Sequence, residues 1–203
     1  MIPKGMGWII VDALDTMMIM NLTKPLKNAQ QWVAQSLTFN QDSEVNTFET
    51  TIRMLGGLLS AHYLSTGLNL VPVETEFEDL YLEKATDLVD RLLGAFDSPS
   101  GIPYASVNLK TRKGVVSHAD GGASSTAEAG TLQLELKYMA KLTGEVPFWQ
   151  MAEKVIEVLD SQGAQDGLVP IFVYADTGHF RGNEIRLGSR GDSYYGTLSS
   201  ERC

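Results

Sequence analysis

Apolar residues recur at helical spacing through most of the chain, in stretches separated by polar segments that carry glycine and proline. The most apolar stretch covers residues 46–67. Phe48, Ile52, Leu55, Leu59 and Tyr63 lie on one side and Met54, Leu58 and Ala61 on a second, which predicts a helix buried nearly all round. Gly56 and Gly57 inside it each cost up to about 1 kcal/mol relative to alanine, so close approach of another helix is expected to offset them. Residues 8–20 predict a buried helix with Asp12 and Asp15 on one face. Pro25 opens another through about residue 37, with Leu26, Ala29, Trp32, Val33 and Leu37 inward. Residues 40–45 read as a polar loop.

Further on, 77–96 predicts an amphipathic outer helix with Tyr81, Ala85, Leu88, Leu92 and Phe96 on its inner side. Residues 97–123 read as a loop with a short hairpin through 104–108 and 114–117. Helices are predicted over 124–143 and 146–162, followed by a second loop-and-hairpin segment over 167–188. A shift of 67 positions places Ala85, Leu88, Val89, Leu92, Ile102 and Pro103 on Ala152, Val155, Ile156, Leu159, Val169 and Pro170. The repeated unit is an inner helix, an outer helix and a hairpin. None buries its apolar face alone, and a period this long predicts helical pairs closing into a ring.

With 203 residues and 43% hydrophobic content, the chain makes one domain or a large part of one. A net charge of -9 disfavours a nucleic-acid surface and suits a neutral sugar or a cation. The single cysteine, Cys203, allows no intrachain disulfide. No apolar run approaches the roughly 18 residues that cross a bilayer, and Asp12 and Asp15 break the pattern of a signal peptide, so neither a membrane segment nor a targeting segment is expected here.

Candidate chemistry begins with Glu49 and Arg53, four apart on one helix face. Glu49, Glu128 and Asp192 each follow an Asn or Ser by three positions: Asn46, Ser125 and Ser189. One reading is three capping boxes. The other is a carboxylate-rich sugar pocket, since inner helices running the same way would crowd all three acids at one mouth of a ring. Capping gives no reason for Arg53 and Arg190 beside the acids. The histidines, His62, His118 and His179, lack metal-ligand spacing.

The stretches GWIIVDALDTMMIM, FETTIRMLGGLLSA, STAEAGTLQLEL and RLGSRGDSYY resemble signature segments of the class I α-1,2-mannosidases, glycoside hydrolase family 47, in order and up to about Tyr195. The resemblance implies an all-α fold, a partial (α/α)7 barrel of inner and outer helices with short β-hairpins between helix pairs. It implies removal of terminal α-1,2-linked mannose from high-mannose N-glycans, with inversion, in the endoplasmic reticulum or Golgi. Such chemistry needs one carboxyl to protonate the leaving oxygen and another to act on water or sugar. By motif, Glu49 matches the family's proposed general acid and Asp192 a second catalytic carboxylate that has also been considered for the acid role. Asp15 and Glu128 match acids that line the pocket, and Arg53 and Arg190 match arginines that hold those acids and the sugar. The resemblance also implies a Ca²⁺ on the sugar hydroxyls, but its ligating threonine and the proposed general base belong to the C-terminal half of family members. No metal ligand is therefore expected in this chain.

Where family members continue DSYYEYL, this chain reads DSYYGTLSSERC, with Gly196 in place of a carboxylate. Residues 1–203 are therefore expected to be an incomplete α/α-barrel catalytic domain with a divergent tail over 196–203, hydrolytic in a full-length form and inactive alone. The alternative is a truncated, non-catalytic glycan-binding or structural remnant of the fold. Half a ring is expected to leave Ile52, Leu55, Leu132 and Leu134 without partners across the barrel, which favours association. All six site residues are expected to converge on one cavity at one end of the helix array. There Arg53 would keep a carboxylate ionised while burial raises the pKa of the proton donor.

Overall fold

The computed structural model describes residues 5–68, 77, 79–164 and 166–201, with side chains described through residue 197. Residues 8–20, where the sequence predicts one helix, form two: α1 (Trp8–Asp12) and α2 (Leu14–Ile19). The ladder continues across Ala13, whose N–H bonds Ile9 O at 3.1 Å and whose carbonyl accepts from Met17 N, but ψ of 0° there changes the phase of the helix. The face is also less buried than the pattern predicts, since Ile9, Ile19 and Met20 are exposed. Helix α3 (Thr23–Gln35) folds back with Leu26, Ala29 and Val33 buried.

Within the expected polar loop lies a strand, β1 (Glu44–Asn46), which opens straight into α4 (Thr47–Glu49). That helix runs without interruption through a π-helical stretch, Thr50–Leu55, into α5 (Gly56–His62) and a second π-helical stretch, Tyr63–Gly67. In both wide stretches a hydroxyl competes for the backbone: Thr51 Oγ1 donates to Thr47 O at 2.8 Å and Ser65 Oγ to Ala61 O at 2.7 Å. Hydroxyl bonds to the carbonyl four back loosen an α ladder, which accommodates the wider turns. Outer helix α6 (Leu80–Leu92) follows and tightens into a 3₁₀ turn at Leu93–Phe96.

Strands β2 (Ser106–Asn108) and β3 (Lys113–Val115) form the expected hairpin, and β2 also pairs antiparallel with β1. The segment 124–143, where the sequence predicts one helix, is divided: β4 (Ala123–Ser125), α7 (Thr126–Gly130) and α8 (Gln133–Thr143). The division falls where α10 (Asp192–Glu201) packs on α7, with Tyr194 so close that a Cβ on Gly130 would lie 2.7 Å from its ring. Helix α9 (Val146–Ser161) is the outer partner of α8, and β5 (Phe172–Tyr174) pairs with β4.

The expected repeat is thus realised twice. A strand precedes an inner helix, an outer helix follows, and a second strand returns to pair with the first: β1 with β2, β4 with β5. Outer helices α3, α6 and α9 pack on α2, α5 and α8, while the inner elements touch sideways in chain order, α2 against α5, α5 against α8, α4 against α7 and α7 against α10. The repeat-matched Ala85, Leu88, Leu92 and Ile102, and Ala152, Val155, Leu159 and Val169, are all buried.

Packing between layers corrects one expectation. Leu55 and Leu132 are not left bare but buried, in one continuous apolar core with residues of the outer helices such as Leu88 and Ala152. Leu134 is 53% exposed and Tyr63 is exposed as well, and both line an open groove of about 410 Å³ between α5 and α8. The glycines of the inner helix allow its two lateral contacts. A Cβ on Gly57 would lie 2.8 Å from Val11 O on α1, and one on Gly56 3.6 Å from Glu135 Oε1 on α8.

Gly57→Ala is therefore expected to destabilise the chain by about 1–3 kcal/mol in denaturant unfolding, because backbone must move to admit a methyl group. Gly196→Ala, in α10 with nothing within 4 Å of the new Cβ, is expected to be neutral or to stabilise by up to about 1 kcal/mol. Equal effects at the two positions would remove the packing explanation for Gly57.

Candidate active site

Each strand delivers a cap and an acid to the start of an inner helix. Asn46, last in β1, accepts the Glu49 N–H on its Oδ1 at 2.7 Å, and Ser125, last in β4, accepts the Glu128 N–H at 3.4 Å. Two of the three capping patterns are thus real. The third is not: the Asp192 N–H bonds Gly188 O at 2.9 Å, and the Asp192 carboxylate accepts from the N–H of Ser193.

Capping does not use up these acids. Glu49 receives Arg53 Nε at 2.6 Å, and Arg53 Nη1 lies 3.9 Å from Asp12 Oδ2 at the end of α1. The Glu49 bond pushes the Arg53 pKa further up, so the guanidinium stays charged. Next to this chain, α4 and α7 bring Glu128 within electrostatic reach of Glu49. Burial pushes the Glu128 carboxyl above the usual carboxylate range; the Arg190 cation and a hydrogen bond with the Asn46 side chain oppose it, while Asp120 and Glu49 add to the rise. Asn46 therefore ties two neighbouring inner helices together. The Glu49 side chain is 42% exposed.

Arg190 is fixed from several directions. Its backbone carbonyl accepts from Ala127 N at 2.9 Å and Ser125 Oγ at 3.3 Å, at the start of α7. Its Nη1 donates to Asp120 Oδ2 at 3.0 Å, and its guanidinium lies 5.0 Å from the centre of the Phe172 ring. Four of the six expected residues, Glu49, Arg53, Glu128 and Arg190, thus share one neighbourhood at the starts of α4 and α7. Asp15 does not join them through any bond among the described residues; its carboxylate accepts from Thr16 N at 2.5 Å. Asp192, exposed, enters only by being two residues from Arg190.

Three participants escape sequence reasoning: Asp12, passed over for its neighbour Asp15; Asn46 in its second role; and Asp120. For Asp120 the one local signal is Ser117 three positions before it, whose Oγ both accepts its N–H and donates to its carboxylate. Among the described residues no three His, Cys, Asp or Glu are placed to hold a metal ion.

The sequence profile of glycosyl hydrolase family 47 matches residues 1–202. The chain belongs to that family. It is 58% identical over 193 residues to a mannosyl-oligosaccharide 1,2-alpha-mannosidase of Candida albicans, covering 95% of this chain and 32% of the relative. It is 49% identical to the endoplasmic reticulum mannosyl-oligosaccharide 1,2-alpha-mannosidase of Saccharomyces cerevisiae, of which it covers 37%. The solved alpha-1,2-mannosidase of Trichoderma reesei superposes with a TM-score of 0.85 at 30% identity, over 97% of this chain and 41% of that one. The chain thus spans about a third of the length of the curated relatives it matches, and its architecture is a partial α/α array of the family 47 type.

Two turns beyond Glu128, Glu135 lines the groove between α5 and α8, with an Oε2 that is shielded from solvent and has no hydrogen-bond partner. Burial raises its pKa above the ordinary 4.5 of a glutamate. A carboxyl whose native pKa is raised binds its proton more tightly folded than unfolded. Stability is then lost as pH rises from 4.5 towards and through the native value. Glu135→Gln is expected to raise the melting temperature at pH 7, by about 2–4 °C per kcal/mol recovered, and to leave it unchanged near pH 3. A mutant that melts lower than the parent at pH 7 would show that the carboxylate is satisfied.

Proposed function

We propose that this chain carries one wall of the active site of a glycoside hydrolase that removes terminal α-1,2-linked mannose from high-mannose N-glycans with inversion, in the endoplasmic reticulum. Family membership and the names of the relatives support the substrate class and the location. The observation that carries the reading is the line Asp12, Arg53, Glu49, Glu128, Arg190, in which Arg53 stands between Asp12 and Glu49, and Arg190 acts on Glu128, at the starts of two adjacent inner helices.

In this reading Glu49, protonated, gives its proton to the glycosidic oxygen as the bond to C1 breaks, while a water oxygen bonds to C1 from the opposite face and gives its proton to the general base that family members carry in their C-terminal half. Arg53, 2.6 Å away, stabilises the carboxylate left behind, which is where charge develops in the transition state. Asp192 is the second catalytic carboxylate. Glu128, Asp15 and Arg190 bind the sugar, whose hydroxyls suit acids and a planar donor fork. One observation favours a second assignment of the acid: burial raises the pKa of Glu128, the direction a proton donor needs.

Because the chain matches only part of each relative, the test uses a graft in which it replaces the matching segment of the Candida albicans protein. The graft is expected to release mannose from α-1,2-mannobiose, and the 203-residue chain assayed alone to release none. In the graft, Glu49→Gln should lower kcat by about 10²–10⁴-fold with KM within about threefold, since proton transfer acts only in the transition state. If Glu128→Gln, and not Glu49→Gln, abolishes the acidic-group limb of the pH profile, the acid is Glu128. A graft that binds mannobiose without turnover would leave the chain a glycan-binding element.

A further inference from the structure

We propose that Asp120 is a positioning residue of this site: with its carboxylate held by Ser117, it clamps the Arg190 guanidinium against Phe172 and so presents that cation to the sugar. The inference rests on the reading of Arg190 as a sugar-binding group, and deepens it by naming what aims the arginine.

Asp120 lies in the loop between β3 and β4, 70 positions before Arg190 in sequence. Its side chain is nonetheless only 19% exposed. One carboxylate oxygen, Oδ2, accepts both Arg190 Nη1 and Ser117 Oγ at 3.0 Å, and its backbone carbonyl accepts Arg181 Nη1 at 2.5 Å. Arg181 and Arg190 both lie over the Phe172 ring, with guanidinium carbons 5.5 and 5.0 Å from its centre. The loop is thus fastened to β5 by two arginines that share an aromatic platform and an aspartate.

Arg190 is held in an uncommon backbone conformation, φ of 73°, which a non-glycine residue keeps only where its surroundings fix it. The start of α7 fixes its carbonyl, and Asp120 and Phe172 fix its side chain. Among the described residues the remaining guanidinium donors have no hydrogen-bond partner, so a planar fork remains for ligand hydroxyls. Free arginine side chains sample many rotamers; one already oriented loses less freedom when it binds. Glu128, facing the same cation, would then meet the sugar from the other side.

The test combines a chemical and a kinetic readout on Asp120→Asn and Asp120→Glu. Phenylglyoxal labelling of the 203-residue chain, read by peptide mass spectrometry, reports access to each guanidinium, with Arg186 as internal reference because its partner is Glu184. Asp120→Asn is expected to raise labelling of Arg190 severalfold and leave Arg186 unchanged. In the graft, the same substitution should raise KM for α-1,2-mannobiose about tenfold, the worth of one charge-assisted hydrogen bond, with kcat within about threefold. Asp120→Glu, which keeps the charge, should recover part of the KM. Unchanged Arg190 labelling overturns the proposal, as does a rise at Arg186 equal to that at Arg190, which marks loss of the loop rather than of the clamp. A fall in kcat with KM intact also overturns it. If the parent graft releases no mannose, the functional reading fails, and the labelling result alone decides whether Asp120 holds Arg190.

Discussion

The arrangement depends on how strands pin the starts of inner helices. An N-cap residue that is also the last residue of a paired strand cannot drift along the helix axis, because its backbone belongs to a ladder and its side chain to the first turn. Asn46 and Ser125 both occupy that position. Glu49 and Glu128 therefore emerge at one level on adjacent helices, and the Asn46 side chain spans the gap between them. Remove the strand pairs β1–β2 and β4–β5 and the helices would still be amphipathic, but nothing would keep their starts level.

Electrostatics then follows from placement. Two acids on neighbouring helix starts repel, and the positive ends of the helices and two arginines offset that repulsion. Arg53 comes from one turn further along the same helix, a local solution that the sequence spacing already contains. Arg190 comes from the chain entering α10 and needs Phe172 and Asp120 to be held, a solution assembled from a strand and two loops. The first arginine is cheap to place and exposed; the second is restrained on every side.

That difference also explains what could be read from the sequence. Outer helices were legible because Ala85, Leu88 and Leu92, and their counterparts Ala152, Val155 and Leu159, repeat with a helical period that packing enforces. The Asn46 and Ser125 caps were legible because capping is a local code. Breaks at Ala13 and after Gly130 were not, since neither is dictated nearby: one is a small change in ψ, the other makes room for Tyr194, a residue 64 positions away. The change of phase at Ala13 explains why Asp12 and not Asp15 reaches Arg53. Asp120 has no periodic neighbours at all, and its partner is distant in the chain.

The wide turns of the central helix have a consequence of their own. A π-helical stretch holds one more residue than the α-helix it interrupts, so Thr50–Leu55 acts as a spacer between two anchored ends, the strand at Asn46 and the close crossing at Gly57. Loss of a single residue there would let the helix relax to ordinary α geometry with its two ends still in phase, because the wide turn is what takes up the extra residue. A deletion in the α-helical part around Gly57 would instead turn one end against the other by about 100°, so that Glu49 and the glycine crossing could no longer both face their partners. In this helix the wide turn absorbs a change of residue count that the ordinary turns would pass on to the site.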